Sequence, residues 1–216
     1  MSMISKKKYG FYVSGKATRL TEIIKSFPII FDNTVVVIND GESNPYLLEY
    51  FNNNNITYEE VDYSGIHKKD RNKFISSYLL EGLRLHKVDY TFCFGARLLK
   101  GEILNEFKNR IINFHPSILP MYPGEKSIDK AIKGSSFLVG NTAHFIDEGI
   151  DTGPIIIQNV MSLDSSLSYD DILNQQIPMI RQIYHWLNEE RIKVINNKTE
   201  VIAGKASIAF YPALEF

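Results

Sequence analysis

The chain has 216 residues, of which 44% are hydrophobic, 12% aromatic and 23% charged, and its formal net charge is −1. This balance excludes wholesale disorder, and it lacks the basic excess of a nucleic-acid-binding domain. The single cysteine, Cys93, excludes an internal disulfide and a Cys-rich metal site.

No apolar run reaches the ~18 residues of a membrane span, and no signal-type stretch opens the chain. The expectation is one soluble, cytoplasmic domain over residues 1–216, with neither nucleic-acid nor membrane partners. Lys6-Lys7-Lys8 reads as a solvated lead-in to the first strand. Tyr9-Gly10-Phe11-Tyr12-Val13 is a short apolar run ended by Ser14-Gly15 and predicts that strand. Leu20, Ile23 and Ile24 follow at helical spacing. Thr34-Val35-Val36-Val37-Ile38 is β-branched, as a strand buried on both faces is, and Asn39-Asp40-Gly41 ends it as a turn. A helix is predicted over 45–51, with Pro45 in its first turn, and a third strand over 57–61. Ile75, Tyr78, Leu79, Gly82 and Leu83 mark a helix over 70–85. Residues 89–94 predict a buried strand, inside which Cys93 is an inert thiol. Ile103, Leu104 and Phe107 predict a short helix, and Arg110-Ile111-Ile112-Asn113-Phe114 a fifth strand.

The alternation then stops. Pro116, Pro120, Pro123 and Gly124 crowd into a structured loop, and 128–132 give a helical turn or two. Residues 137–146 and 155–161 are two strands without a long helix between them, expected to pair antiparallel. Ile172, Met179, Ile180, Ile183 and Leu187 form a helical stripe ending near Glu190. Pro178 lies inside that stripe and should end or kink a turn, at about 3 kcal/mol if forced into an interior. Residues 193–202 read as a hairpin around Asn196-Asn197. The fold class expected is α/β: a Rossmann-like, mostly parallel sheet with helices on both faces and an antiparallel C-terminal part. In such a sheet ligands bind beyond the C-terminal strand ends, which selects 14–19, 39–43, 95–99 and 113–125 as one rim.

Asn113 and His115 sit two apart at a strand end, so period two points them to one face. An amide N–H beside an imidazole can stabilise an oxyanion. A strand-end Asn capping a turn beside a satisfied histidine has the same spacing. Asp151, within Asp147-Glu148-Gly149-Ile150-Asp151-Thr152-Gly153-Pro154, lies on a sharply turning loop. It reads either as an Asx-turn residue or as a carboxylate aimed into a site.

Longer motifs decide between these readings. Asn113-Phe114-His115-Pro116-Ser117-Ile118-Leu119-Pro120-Met121-Tyr122-Pro123-Gly124 resembles the signature of the 10-formyltetrahydrofolate-dependent formyltransferases. Residues 147–158 resemble that family's second block, with its catalytic aspartate at Asp151, and His144 matches a family histidine just upstream. Phe94-Gly95-Ala96-Arg97-Leu98-Leu99 is similar to the segment whose backbone binds the pterin. In length and segment order the resemblance runs almost end to end to the family's glycinamide ribonucleotide branch. The chain lacks the C-terminal domain expected of the methionyl-tRNA branch. The resemblance implies catalytic Asn113, His115 and Asp151. It implies 10-formyltetrahydrofolate on Arg97, Leu98, Leu99, Asp147, Gly149, Ile150 and Asp151, and no metal. The formyl group would pass to a primary amine of a phosphorylated small molecule, in a monomer or homodimer.

The acceptor segments depart from the pattern. The phosphate loop of the ribonucleotide branch reads Ser-Gly-any-Gly-Ser-Asn, and here it is Ser14-Gly15-Lys16-Ala17-Thr18-Arg19. Gly15, Lys16, Ala17, Thr18 and Arg19 remain the expected acceptor site, because the loop opens a helix whose N–H groups can bind an anion. A simple strand–helix turn with two solvated charges is the other reading. The Glu-His pair that the resemblance places near the start of the late helix, whose glutamate contacts the ribose hydroxyls in the ribonucleotide branch, is Gln176-Ile177 here, and Gln176 is the corresponding expected acceptor contact. Glycinamide ribonucleotide leads as acceptor. A nucleotide-linked amino sugar is the runner-up, followed by water, as in a formyltetrahydrofolate hydrolase, and by non-catalytic folate or nucleotide binding. His67, His86 and His185 read as surface or packing residues.

Overall fold

The computed structural model describes residues 6–134, 136–163 and 167–204. Residues 1–5, 135, 164–166 and 205–216 of the expected 1–216 domain lie outside the described residues. In chain order the elements are β1 (Tyr9–Val13), α1 (Thr18–Ser26), β2 (Thr34–Asn39), α2 (Pro45–Asn53), β3 (Thr57–Glu60), α3 (Arg71–Leu85), β4 (Tyr90–Phe94), α4 (Glu102–Glu106) and β5 (Ile111–His115). They continue as α5 (Ser127–Lys133), β6 (Leu138–Phe145), β7 (Ile155–Ser162), α6 (Tyr169–Asn174), α7 (Gln176–Asn188), β8 (Ile192–Ile195) and β9 (Lys198–Val201).

The seven-stranded sheet has the order β3-β2-β1-β4-β5-β6-β7. The five strands from β1 to β5 are parallel, and β6 and β7 are antiparallel to their neighbours. The chain therefore reverses its winding direction beside β1, between β1 and β4, where an open α/β sheet forms its ligand crevice. β8 and β9 pair separately as the expected hairpin, with Asn196 and Asn197 at φ 49° and 60°, the two positive values that a type I′ turn requires. Among the described residues no helix is long and apolar enough to cross a membrane.

Alternation along the buried strands feeds two cores. Phe11, Phe92 and Phe114 face α1 and α7 and pack with Leu20, Ile23, Ile180 and Ile183. Their rings stand 5.3 Å (Phe11–Phe92) and 6.2 Å (Phe92–Phe114) apart. Tyr12, Ile38 and Cys93 face the other way, onto Ile75, Leu79 and Leu83 of α3 and Ile103 of α4. A fully buried Phe or Leu contributes about 2–3 kcal/mol of transfer free energy, so each core needs this alternation intact. Burial pushes the Cys93 thiol up to about 12, in keeping with an inert group.

Two expectations change. The late helical stripe is two helices, broken at Gln175, and Pro178 is the third residue of α7 rather than an interior residue. A first-turn N–H has no intrahelical partner, so proline there loses no helix bond. The fifth strand is displaced by one residue, to Ile111–His115, which brings His115 into register with Thr142 of β6.

Candidate active site

One row of side chains crosses the sheet on the α3 face. Tyr12, Cys93, Asn113 and His144 are successive register partners from β1 to β6. Asn113 and His115 share this face, as their spacing predicts. The row turns polar at Asn113 and His144, which pair across β5 and β6.

Asp151 is the hub of that loop. Its φ of 55° places it in the left-handed region, a conformation that Asp tolerates better than most residues. Oδ2 accepts the Gly124 N–H at 2.7 Å and lies 3.3 Å from His115 Nδ1. Oδ1 lies 3.5 Å from both Asn113 Nδ2 and His144 Nε2. Burial alone would raise the Asp151 carboxyl. Hydrogen bonds from His144 and Gly124, with the charge that His115 and His144 can carry, outweigh burial and hold it below the ordinary aspartate value.

The two imidazoles are held from behind by backbone carbonyls. His115 Nε2 is 3.0 Å from Tyr122 O, and His144 Nδ1 is 2.9 Å from Phe145 O. His144 Nε2 also lies 3.2 Å from Asn113 Nδ2. A neutral His144 accepts from that amide, and a charged one donates to Asp151. The residues singled out as Asn113, His115 and Asp151 thus converge on one point, with His144 as a fourth member. Tyr122 O and Gly124 N–H escaped the sequence reading because backbone groups carry no residue signal. The proline-rich loop that delivers them was visible.

The 95–99 and 147–151 segments flank this point. Ile146 packs against the core that contains Leu99. Leu98 and Ile150 stay 39% and 54% exposed, leaving apolar surface at the rim for a flat ligand. The side chains of Arg97 and Asp147 are committed to the protein. Arg97 Nε donates to Asp40 at 2.8 Å, and Asp147 Oδ1 accepts from Gly149 N–H at 3.1 Å and Thr152 Oγ1 at 2.7 Å. Rigid loops that offer backbone groups and apolar surface are what the donors and acceptors of a pterin ring require, so the residues fit that group.

The first loop opens onto a cavity of about 80 Å³ lined by Ser14, Lys16, Ala17, Thr18, Arg19 and Phe94. Ala17 takes the left-handed conformation (φ 49°) that the family's glycine would adopt freely. Arg19 lies over the Phe94 ring at 5.2 Å. Its buried Nε has no hydrogen-bond partner among the described residues, and burial lowers its pKa. The simple turn with two solvated charges does not describe this guanidinium. Gln176, by contrast, departs from the rim position expected of it. It is fully buried, and its amide donates to Asn141 Oδ1 at 2.9 Å, tying α7 to β6. Its position at the helix start turns it into the core, where an acceptor has no access.

The formyl transferase family profile matches residues 7–183. Phosphoribosylglycinamide formyltransferase of Bacillus subtilis is 33% identical over 123 residues, covering 56% of this chain and 63% of that protein. Formyltetrahydrofolate deformylase of Haemophilus influenzae is 29% identical over 171 residues, covering 77% of this chain and 59% of that protein. The chain thus spans less than two thirds of either relative. The crystal structure of glycinamide ribonucleotide transformylase 1 from Symbiobacterium toebii superimposes with a TM-score of 0.78 at 26% identity, over 91% of this chain and 94% of that one.

Proposed function

The chain belongs to the formyl transferase family, and on that premise we propose that it transfers a formyl group from 10-formyltetrahydrofolate to a primary amine of a phosphorylated small molecule, foremost glycinamide ribonucleotide. The observation that carries this reading is the convergence of His115, Asn113 and His144 on the buried Asp151 carboxylate, at 3.3 to 3.5 Å.

When bound between 95–99 and 147–151, the folate supplies the formyl carbon that the amine attacks and the N10 leaving group. Asn113 Nδ2 and His115 Nδ1 donate to the formyl oxygen as negative charge develops on it. Their contacts to Asp151 are longer than ordinary hydrogen bonds, so these two donors are the ones a ligand can draw away. The Tyr122 carbonyl keeps the His115 ring in place while this happens. The carboxylate of Asp151, held anionic, favours an imidazolium beside it; it takes a proton from the attacking amine, directly or through water, and returns it to the departing N10 as the bond from the formyl carbon to N10 breaks. The first loop holds the acceptor phosphate on helix-start N–H groups, with Arg19 and Lys16 supplying charge. Proximity of the two bound reactants supplies much of the rate.

A second reading has one specific observation in its favour. The buried Gln176 cannot make the ribose contact that its position makes in the glycinamide ribonucleotide branch, so the second reading is a nucleotide-linked amino sugar whose nucleotide is held by other residues. The experiment is incubation with 10-formyltetrahydrofolate and, separately, glycinamide ribonucleotide, dTDP- and UDP-amino sugars, or water alone, following tetrahydrofolate release. Release only with glycinamide ribonucleotide supports the first reading, and release only with an amino sugar the second. Equal release without any amine overturns both in favour of hydrolysis.

A further inference from the structure

We propose that Asp40 is a positioning residue that couples the acceptor loop to the cofactor loop, so that folate on 95–99 orders residues 14–19 before the acceptor arrives. The inference rests on the folate-dependent reading above and deepens it.

Asp40 follows directly on β2, and its side chain is only 2% exposed. Oδ2 accepts from Tyr12 Oη at 2.9 Å, Tyr63 Oη at 2.9 Å and Arg97 Nε at 2.8 Å. Oδ1 accepts the Ser14 hydroxyl. The same Ser14 oxygen accepts the Ala96 N–H at 2.9 Å. A single carboxylate therefore grips Ser14, which opens the acceptor loop, and Arg97, which lies in the cofactor loop. Ser14 closes the circuit onto Ala96.

A carboxylate this deeply buried persists because donors replace its water, and each donor is held in turn by the cost of leaving the charge unsolvated. The surrounding backbone leaves the circuit little slack. A Cβ on Gly41 would lie 2.1 Å from Gly15 N, and one on Gly95 would lie 2.0 Å from the Tyr12 ring. Glu42 N–H also donates to Gly15 O at 2.9 Å. The Arg97 guanidinium is further fixed over the Tyr63 ring at 4.7 Å. Neither loop can shift without disturbing bonds of the other. A ligand that immobilises one of them biases the other, and the effect is reciprocal.

The test is amide hydrogen exchange of the full chain with and without saturating tetrahydrofolate, which lacks the formyl group and needs no acceptor. In the wild type, tetrahydrofolate should slow exchange at 95–99 and also slow it at 15–19 by about 5-fold or more. Ser14→Ala should keep the protection at 95–99 and lose that at 15–19, and Ser14→Thr should restore it. Asp40→Asn should lose it as well and raise KM for both substrates more than it lowers kcat. Protection at 95–99 without any at 15–19 in the wild type overturns the coupling and leaves formyl transfer standing. So does full protection at 15–19 in Ser14→Ala. No protection anywhere overturns the folate reading itself, and the coupling with it.

Discussion

His115 Nε2 lies 3.0 Å from the Tyr122 carbonyl, and that bond aims the other ring nitrogen at Asp151 Oδ2, 3.3 Å away. Tyr122 can present its carbonyl because it sits at φ 54° and its hydroxyl is tied to Ser136 Oγ at 2.8 Å. The Ser117 hydroxyl braces the same turn through Met121 O at 2.6 Å. The imidazole is thus oriented from a loop and polarised from a second loop, while its backbone belongs to a strand.

His115→Ala, Asn113→Ala and Asp151→Asn are each expected to lower kcat by about 10²-fold or more, the usual loss for an oxyanion donor or an acid–base group. Steady-state kinetics with the true acceptor checks this, alongside circular dichroism to confirm the fold. Near-normal turnover by His115→Ala would remove it from the mechanism.

Asp151 also sets an acid limit on stability. Its folded carboxyl titrates below the ordinary 3.8, so its stabilisation is fully present above that value. It is lost as pH falls through the lower, folded value. Urea midpoints taken from about pH 6 down to about pH 3 should therefore fall more steeply for the wild type than for Asp151→Asn. Parallel curves would show that the carboxyl is not held down by its partners.

Arg19→Met should raise KM for the acceptor by about 10-fold or more while leaving tetrahydrofolate affinity unchanged, because it removes a charge-assisted contact to phosphate. It should change the melting temperature little, since the buried Nε has no partner among the described residues and methionine retains most of the side-chain volume over the Phe94 ring. An unchanged KM would separate the loop from acceptor binding.

For Gln176 the expected effect is on stability alone. Gln176→Ala leaves Asn141 Oδ1 without its 2.9 Å donor inside the core, at a cost of about 1–3 kcal/mol. Chemical denaturation should show this loss with KM for the acceptor little altered. A large rise in KM at unchanged stability would return Gln176 to the rim.

Local patterns in the chain were enough to determine the alternating elements, the two buried faces of the sheet and the shared face of Asn113 and His115. These follow from periods of two and 3.6, which act over a few residues. The turn at Asn39-Asp40-Gly41 and the hairpin at Asn196-Asn197 were legible for the same reason, since turn chemistry is local.

What each polar side chain faces was decided by strand order and register instead. Asp40 meets Tyr12, Ser14, Tyr63 and Arg97 because β2 lies between β1 and β3 and β4 lies on the other side of β1, although these residues are far apart in sequence. Asp151 reaches His115 because β6 returns antiparallel and carries its following loop over the Asn113 row. Gln176 turns inward because the late helix breaks at Gln175 and restarts against β6, which a continuous apolar stripe conceals. Hydrophobic periodicity specifies which face of an element is buried. Which polar groups then meet depends on contacts between distant segments, and these exist only once the sheet has closed in one register.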